Sequence, residues 1–240
     1  YKSKLKGTAG PFLLGLASIK RNGGFRDDKL TTYGGDSPEN LLLRPGDLFA
    51  SLKDVTQSAD LLGAVARVPR HIELGRLTQD TVKLIFRSRA SHRDLIYWTL
   101  RTPQYRDYCR SHATGTTNLG LSRDDFLAFT IPEPTPERLQ IVELLELLND
   151  KIELNRRMNQ TLEALARALF KSWFVDFDPV RAKMDGRQPT GMDPQTAKLF
   201  PDRFEDSELG KIPAGWKVLT MSGAIEVNPP RRLSKKQIAP

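Results

Sequence analysis

Cysteine and histidine are scarce in this sequence: there is one cysteine, Cys109, and three scattered histidines, His71, His92 and His112. A single thiol closes no internal disulfide, and so few soft ligands leave no grouping suited to a structural zinc ion. Cys109 reads as an ordinary half-buried thiol. Long apolar runs are missing as well, since nothing approaches the roughly 20 residues of a membrane-spanning helix. The start, Tyr1-Lys2-Ser3-Lys4, lacks the apolar stretch of a signal peptide, and a cytoplasmic address is expected. No glycine-rich fingerprint follows a strand and no Walker pattern occurs, so no cofactor and no ATP chemistry are expected of the chain itself.

Two partial motifs fail on inspection. Asn228-Pro229-Pro230-Arg231 half resembles the Asn/Asp-Pro-Pro-aromatic motif with which adenine methyltransferases hold a flipped base, but arginine stands where the stacking ring belongs. Asp202, Glu205, Asp206, Glu208 and Lys211 offer carboxylates and a lysine, yet their spacing does not suit a nuclease metal site and their setting reads as a solvated charged linker. Neither supports catalysis.

What is present is basic charge and a core. Hydrophobic residues make up 39% of the 240, enough for a sizeable interior, and the formal net charge of +8 points to a polyanionic partner. The excess of Lys and Arg lies outside the central segment 134–176. The chain begins without methionine and ends at Gln237-Ile238-Ala239-Pro240, soon after what reads as the opening of a new domain. It is therefore expected to be a fragment or a processed product.

Residues 1–133 alternate short apolar runs (Pro11 to Ile19, Gly46 to Leu52, Leu61 to Val68, Thr81 to Phe86) with glycine turns at Gly23-Gly24 and Gly34-Gly35. Those lengths suit strands. A helix is predicted from about Ser91 to Arg101, ended by Pro103, with a second short helix carrying Tyr105 and Tyr108 running on to Ser111. The combination predicts an α+β domain. Ile131-Pro132-Glu133-Pro134 then forms an extended spacer, with Thr135 as helix cap and Pro136 in the first helical position.

From Leu139 to about Val175 no glycine or proline interrupts, which predicts about 41 residues of helix, roughly 60 Å long. Spacings of four and three pick out Ile141, Leu145, Leu148, Ile152, Asn155, Asn159, Leu162, Ala166, Leu169 and Trp173, a coiled-coil seam with a polar centre. Leu144, Leu147, Leu154, Met158 and Leu165 form a second stripe beside it, so a partner helix and a further surface are both implied. Phe177-Asp178-Pro179 should stop the helix, residues 179–206 read as a linker, and 207–240 as the start of a second basic domain carrying Arg231, Arg232, Lys235 and Lys236.

Candidate nucleic-acid contacts follow from chemistry. Lys20-Arg21-Asn22-Gly23-Gly24-Phe25-Arg26 puts cations and an amide on a flexible turn, where Arg can pair with guanine and Asn with adenine in a major groove. Thr116, Thr117 and Asn118 follow a glycine turn and suit phosphate contacts and local capping alike, and Lys53, Lys2, Lys4 and Lys6 are candidate phosphate contacts of the same low specificity.

Taken together these segments resemble the specificity subunit of type I restriction-modification enzymes. The resemblance rests on Leu43-Arg44-Pro45-Gly46-Asp47-Leu48-Phe49, on Ala113-Thr114-Gly115-Thr116-Thr117 through Ile131-Pro132-Glu133-Pro134, and on Ser207-Glu208-Leu209-Gly210-Lys211-Ile212-Pro213-Ala214-Gly215-Trp216. Its most specific stretch runs from Asp150-Lys151-Ile152-Glu153-Leu154-Asn155-Arg156-Arg157 to Leu162-Glu163-Ala164-Leu165 and Phe170-Lys171-Ser172-Trp173-Phe174-Val175-Asp176-Phe177-Asp178-Pro179-Val180. The resemblance implies a non-catalytic, sequence-reading subunit. Residues 1–133 would be a target recognition domain, incomplete at its start, and 134–178 a spacer helix. Double-stranded DNA, modification (methyltransferase) subunits and restriction subunits would be the partners. The distal spacer helix and nearly all of a second recognition domain are missing from the pattern, so the seam would pair with another half-subunit or with an antiparallel second copy. A protein–protein scaffold with incidental basic charge stays open at this point.

Overall fold

The computed structural model describes residues 2–56, 58–87 and 92–227. The Asn228-Pro229-Pro230-Arg231 stretch and the basic residues after it lie outside the described residues. The chain divides into two units, residues 1–151 and 152–240.

The first unit is α+β. Its strands are β1 (Phe12–Leu14), β2 (Leu42–Leu43), β3 (Leu48–Ser51), β4 (Lys53–Asp54), β5 (Val65–Arg67), β6 (Gly75–Leu77), β7 (Thr81–Lys83) and β8 (Leu119–Gly120), with helices α1 (Arg93–Thr99), α2 (Pro103–Ser111) and α3 (Arg123–Ala128). One sheet has the order β1-β6-β2, parallel between β1 and β6 and antiparallel between β6 and β2. A second has the order β5-β3-β7, antiparallel throughout, and β4 pairs with β8.

Strand β3 explains the layering. All four of its residues are buried. Side chains alternate across a strand, so Phe49 enters a core with Leu14, Ile19, Leu43, Ala66, Val68 and Leu77, while Leu48 enters another with Leu62, Val65, Tyr97, Leu100, Tyr105 and Cys109. The apolar runs at 11–19, 46–52, 61–68 and 81–86 thus supply β1, β3, β5 and β7. Strand β6 had no such signal, because its centre is Arg76. That side chain is buried, donates to the carbonyls of Asp36 and Leu77, and lies over the Tyr33 ring at 4.9 Å. Gly75 permits the close β1–β6 approach, since a Cβ there would sit 2.3 Å from Leu14 Cδ1.

Helix α2, which the sequence predicts, and α3, which it does not, begin where their caps dictate. Thr102 accepts from Tyr105 N–H ahead of Pro103 in α2, and Ser122 accepts from Asp125 N–H ahead of α3. The long helix α4 runs from Pro136 to Phe174, 39 residues, with Thr135 Oγ1 accepting from Arg138 N–H at 3.5 Å.

In the second unit, α4 ends before Phe177, whose φ of 56° is left-handed and turns the chain into α5 (Asp178–Met184). Helix α6 (Pro194–Lys198) is capped by Asp193, which accepts from Gln195 and Thr196 N–H, and the β9 (Phe204–Ser207) and β10 (Gly210–Pro213) strands form a hairpin before α7 (Met221–Ala224). Residues 179–206, expected as a polar linker, contribute Val180, Met192, Ala197 and Phe200 to a small core that Trp173, Phe177, Phe204 and Trp216 pack against. Those four are spaced too irregularly to give a period, and their neighbours are polar or proline. Among the described residues no helix is long and apolar enough to cross a membrane.

Candidate nucleic-acid interface and the helix face

The turn at 20–24 is closed by an Ile19–Phe25 bridge, by Lys20 N–H donating to Gly24 O at 2.8 Å and by Gly23 N–H donating to Lys20 O at 2.9 Å. Asn22 takes a left-handed φ of 61°, which asparagine tolerates better than most residues. At Gly23, φ is 102° and a Cβ would press on Val65 O and Arg101 Cγ, both at 3.1 Å, so glycine is required. The turn is also bolted down, since Asn22 N–H donates to Asp60 O and Gly24 N–H to Val65 O. Arg21 stays largely exposed, with Nε 3.7 Å from Asp60 Oδ2. Arg26 is engaged by Asp28 through two hydrogen bonds, which, ahead of the charge attraction, hold the Asp28 carboxyl below the usual aspartate range. Both groups are exposed, so this pair adds little stability.

Lys53 lies at the root of the other predicted segment. The β4–β8 register sets Lys53 opposite Gly120, and Thr114 and Gly120 exchange both backbone hydrogen bonds to close the intervening loop. Gly115 has a φ of 96°, and a Cβ there would meet Asn118 O at 2.5 Å. Thr116, Thr117 and Asn118 are exposed in this loop, and Lys53 Nζ is 3.6 Å from Asp80 Oδ1.

Sequence reasoning missed what joins the two segments. The loop from Asp54 to Gly63 runs from Lys53 to the Asp60 carbonyl that holds Asn22. Its first residue, Asp54, is fully buried and accepts from Thr56 N–H, Thr56 Oγ1–H and Leu61 N–H. From beneath, α2 supplies Arg106, which is 2% exposed and donates to the carbonyls of Leu62, Ala59 and Asp60 at 2.5, 2.8 and 3.0 Å, and Tyr105, whose hydroxyl donates to Gly63 O. Burial pulls the Arg106 guanidinium below its ordinary pKa and pushes the Tyr105 hydroxyl and the Cys109 thiol above theirs. In sequence, Arg106 stands four residues before Arg110 and looks like part of a polar helix face.

The helix is fastened to this head at Glu146. Its carboxylate accepts two hydrogen bonds from Arg67, at 2.6 and 3.0 Å, and one from Trp98 Nε1–H at 2.6 Å. Arg67 also reaches Asp94 at 2.8 Å and lies over the Tyr97 ring at 4.3 Å, while Arg101 covers Trp98 at 4.6 Å. Val142, one turn before, is the buried residue of α4. Burial alone would raise the Glu146 carboxyl, but the hydrogen bonds and charge of Arg67 outweigh it and hold the group below the usual glutamate range.

The seam itself is open. Ile141, Leu148, Ile152, Asn155, Asn159, Leu162 and Leu169 are exposed and Leu145 is half-buried; Leu144, Leu147, Leu154, Met158 and Leu165 on the neighbouring stripe are exposed too. Trp173 differs, being half-buried against Phe200 in the small core of the second unit. Among the described residues no group of three or more His, Cys, Asp or Glu could hold a metal ion.

The first unit is thus an α+β domain with basic and hydroxyl-bearing loops, followed by a helix with an open apolar seam. Comparison with known proteins finds partial sequence matches. The chain is 51% identical over 73 residues to the type I restriction enzyme HindI specificity subunit of Haemophilus influenzae, covering 30% of this chain and 16% of that one. It is 28% identical over 145 residues to the MjaIX specificity subunit of Methanocaldococcus jannaschii, covering 58% and 29%. The matches therefore span less than a third of either relative. No family model matches. Among solved structures, a type I restriction-modification S subunit from M. genitalium aligns at TM-score 0.44 and 12% identity over 77% of this chain and 41% of its own, and the HsdS subunit from Thermoanaerobacter tengcongensis at 0.42 and 16% over 78% and 45%. The sequence matches make this chain a relative of type I restriction enzyme specificity subunits.

The Glu146 clamp carries a pH signature. A carboxyl lowered by folding adds stability above the usual value of 4.5, and that stability is lost as pH falls through the lower folded value. At pH 7 Glu146→Gln should cost about 1–2 kcal/mol in urea unfolding, and the gap to the parent should close towards pH 3. A gap unchanged by acid would contradict the assignment.

Proposed function

We propose that this chain acts as a sequence-reading, non-catalytic specificity subunit of a cytoplasmic type I restriction-modification complex. Residues 1–133 form the recognition head that reads one half of a split double-stranded DNA target. Residues 134–178 form the spacer helix, with 179–206 leading to the start of a second recognition domain at 207–240. Modification and restriction subunits dock on this scaffold and carry the catalysis. The observation that carries the reading is the convergence of the 20–26 turn, Lys53 and the 116–118 loop on the single loop 54–63, within a chain whose sequence relatives are specificity subunits.

The division of labour follows from side-chain chemistry. Lys20, Arg21, Asn22 and Arg26 offer base-edge and phosphate donors, whereas Lys53, Thr116, Thr117 and Asn118 suit phosphate oxygens. Along α4 a second copy packed antiparallel would bring Asn155 against Asn159 and Ile152 against Leu162, pairing polar with polar and apolar with apolar.

In gel-shift titrations with the methylation complex, Arg21→Ala combined with Asn22→Gly, which keeps the left-handed turn, should shrink the preference for matched over scrambled duplex about tenfold or more. Lys53→Ala should weaken binding to every duplex and lower the salt slope by about 0.9. A specificity ratio untouched by the first variant would retire the base-reading role, and the absence of salt-dependent duplex binding would favour a protein–protein scaffold. In sedimentation experiments the full chain should associate with rising concentration, and Ile152→Lys with Leu162→Lys should leave it monomeric. A parent that stays monomeric at all concentrations would contradict self-pairing.

A further inference from the structure

We propose that Arg101 is the positioning residue of the 20–26 turn: its side chain, held on Tyr97 and Trp98, is the floor that fixes how Arg21 and Asn22 are offered to a duplex. The inference rests on the duplex-reading function proposed above and names a residue that sets specificity within it.

The contact is direct. A Cβ on Gly23 would lie 3.1 Å from Arg101 Cγ and 3.5 Å from its Nε, and one on Gly24 would lie 3.6 Å from Nη2 and 3.9 Å from Cζ. Stem and guanidinium therefore lie against both glycines. Backbone hydrogen bonds from Asn22 to Asp60 and from Gly24 to Val65 hold the edge of the turn. Two successive glycines, however, bring wide backbone freedom and no side chain to hold the turn from within. Arg101 supplies the packing surface that they lack.

Arg101 is itself fixed at both ends. Its backbone stands in the corner between α1 and α2, where Arg101 N–H donates to Trp98 O and Thr102 N–H to Thr99 O, both at 3.1 Å, before Pro103 opens α2. At the other end Nη1–H donates to the Tyr97 hydroxyl at 3.1 Å. The guanidinium also lies over the Trp98 ring at 4.6 Å and the Tyr97 ring at 5.1 Å. A long cationic side chain commonly carries its charge out to water. This one is half-buried and turned back over two rings, a conformation that costs side-chain entropy. The choice of arginine is chemical: a planar guanidinium stacks on a ring face while one of its N–H groups reaches a hydroxyl, which a lysine ammonium does not reproduce.

The same two rings belong to the clamp on the long helix. Arg67 covers Tyr97 at 4.3 Å, and Trp98 Nε1–H donates to Glu146. One run of contacts thus leads from the turn through Arg101 to the carboxylate that fastens α4. Groups that read base edges discriminate only when a rigid support holds them in place, and Arg101 ties the glycine turn to such a support.

The test pairs duplex selection with hydrogen exchange. Duplexes are selected from a randomised library by the full chain in its methylation complex and sequenced, with Arg21→Ala and Asn22→Gly together marking the base positions that the turn reads. Arg101→Lys should shrink the preference at those positions about fivefold or more, and Tyr97→Phe, which removes only the hydroxyl, should shrink it in the same place. Preferences elsewhere, affinity for scrambled duplex and its salt slope should stay as in the parent. In the free full chain both variants should speed amide exchange in peptides covering 20–25 and not in those covering α2. If the parent enriches no sequence, the duplex-reading function fails and this role with it. If the parent enriches a target, but Arg101→Lys and Tyr97→Phe alter neither its preferences nor exchange in the turn, the positioning role alone is overturned. A weaker grip on every duplex with a salt slope lowered by about 0.9 would make Arg101 a phosphate contact and overturn the positioning role as well.

Discussion

The Arg67–Glu146–Trp98 clamp is the constraint on which the architecture of the first unit turns. Arg67 ends β5, in the sheet whose middle strand divides the two cores, and Trp98 lies on α1, so one carboxylate on the helix is held by both layers of the head. Bidentate geometry fixes the rotation of the helix as well as its distance. With Glu146 turned inward and Val142 buried one turn away, the Ile141, Leu148 and Ile152 positions face outward. The open seam is thus a consequence of how the helix is bolted on.

The proposed reading face depends on a comparable economy. The turn at 20–24, the loop at 54–63 and the loop at 114–120 lie far apart in sequence and have little regular structure of their own. They are brought together by backbone groups donating to Asp60 and Val65, by β4–β8 pairing and by side chains rising from α2. Loops set on buried polar supports can vary at their exposed positions without disturbing the cores, which suits the proposed role in discrimination. The same logic places the costly groups, Asp54 and Arg106, under the surface, and leaves Arg21, Val55, Thr116 and Thr117 on it.

How much of this was legible in the sequence differs by element. The long helix could be read because its signals are local: Thr135-Pro136 at its start, no glycine or proline within it, and apolar spacings of four and three. Strands β1, β3, β5 and β7 could be read because each sits in an apolar run. Strand β6 could not, since Arg76 is buried there by contacts with Asp36 and Tyr33 from elsewhere in the chain. The small core of the second unit was hidden for a similar reason, its apolar residues being scattered through a polar, proline-rich stretch. At the candidate site the residue types of the two basic segments were visible, but their meeting through the 54–63 loop was not. A cation bonding backbone carbonyls 44 to 47 residues away leaves no local pattern.

A double-mutant cycle tests the clamp most directly. Urea unfolding of the parent, of Arg67→Met, of Glu146→Gln and of the pair measures whether the two side chains act as one contact. A coupling of about 1–2 kcal/mol is predicted, with the second substitution costing little once the first is made. Losses that add to within about 0.5 kcal/mol would show that the helix is held to the head by something else.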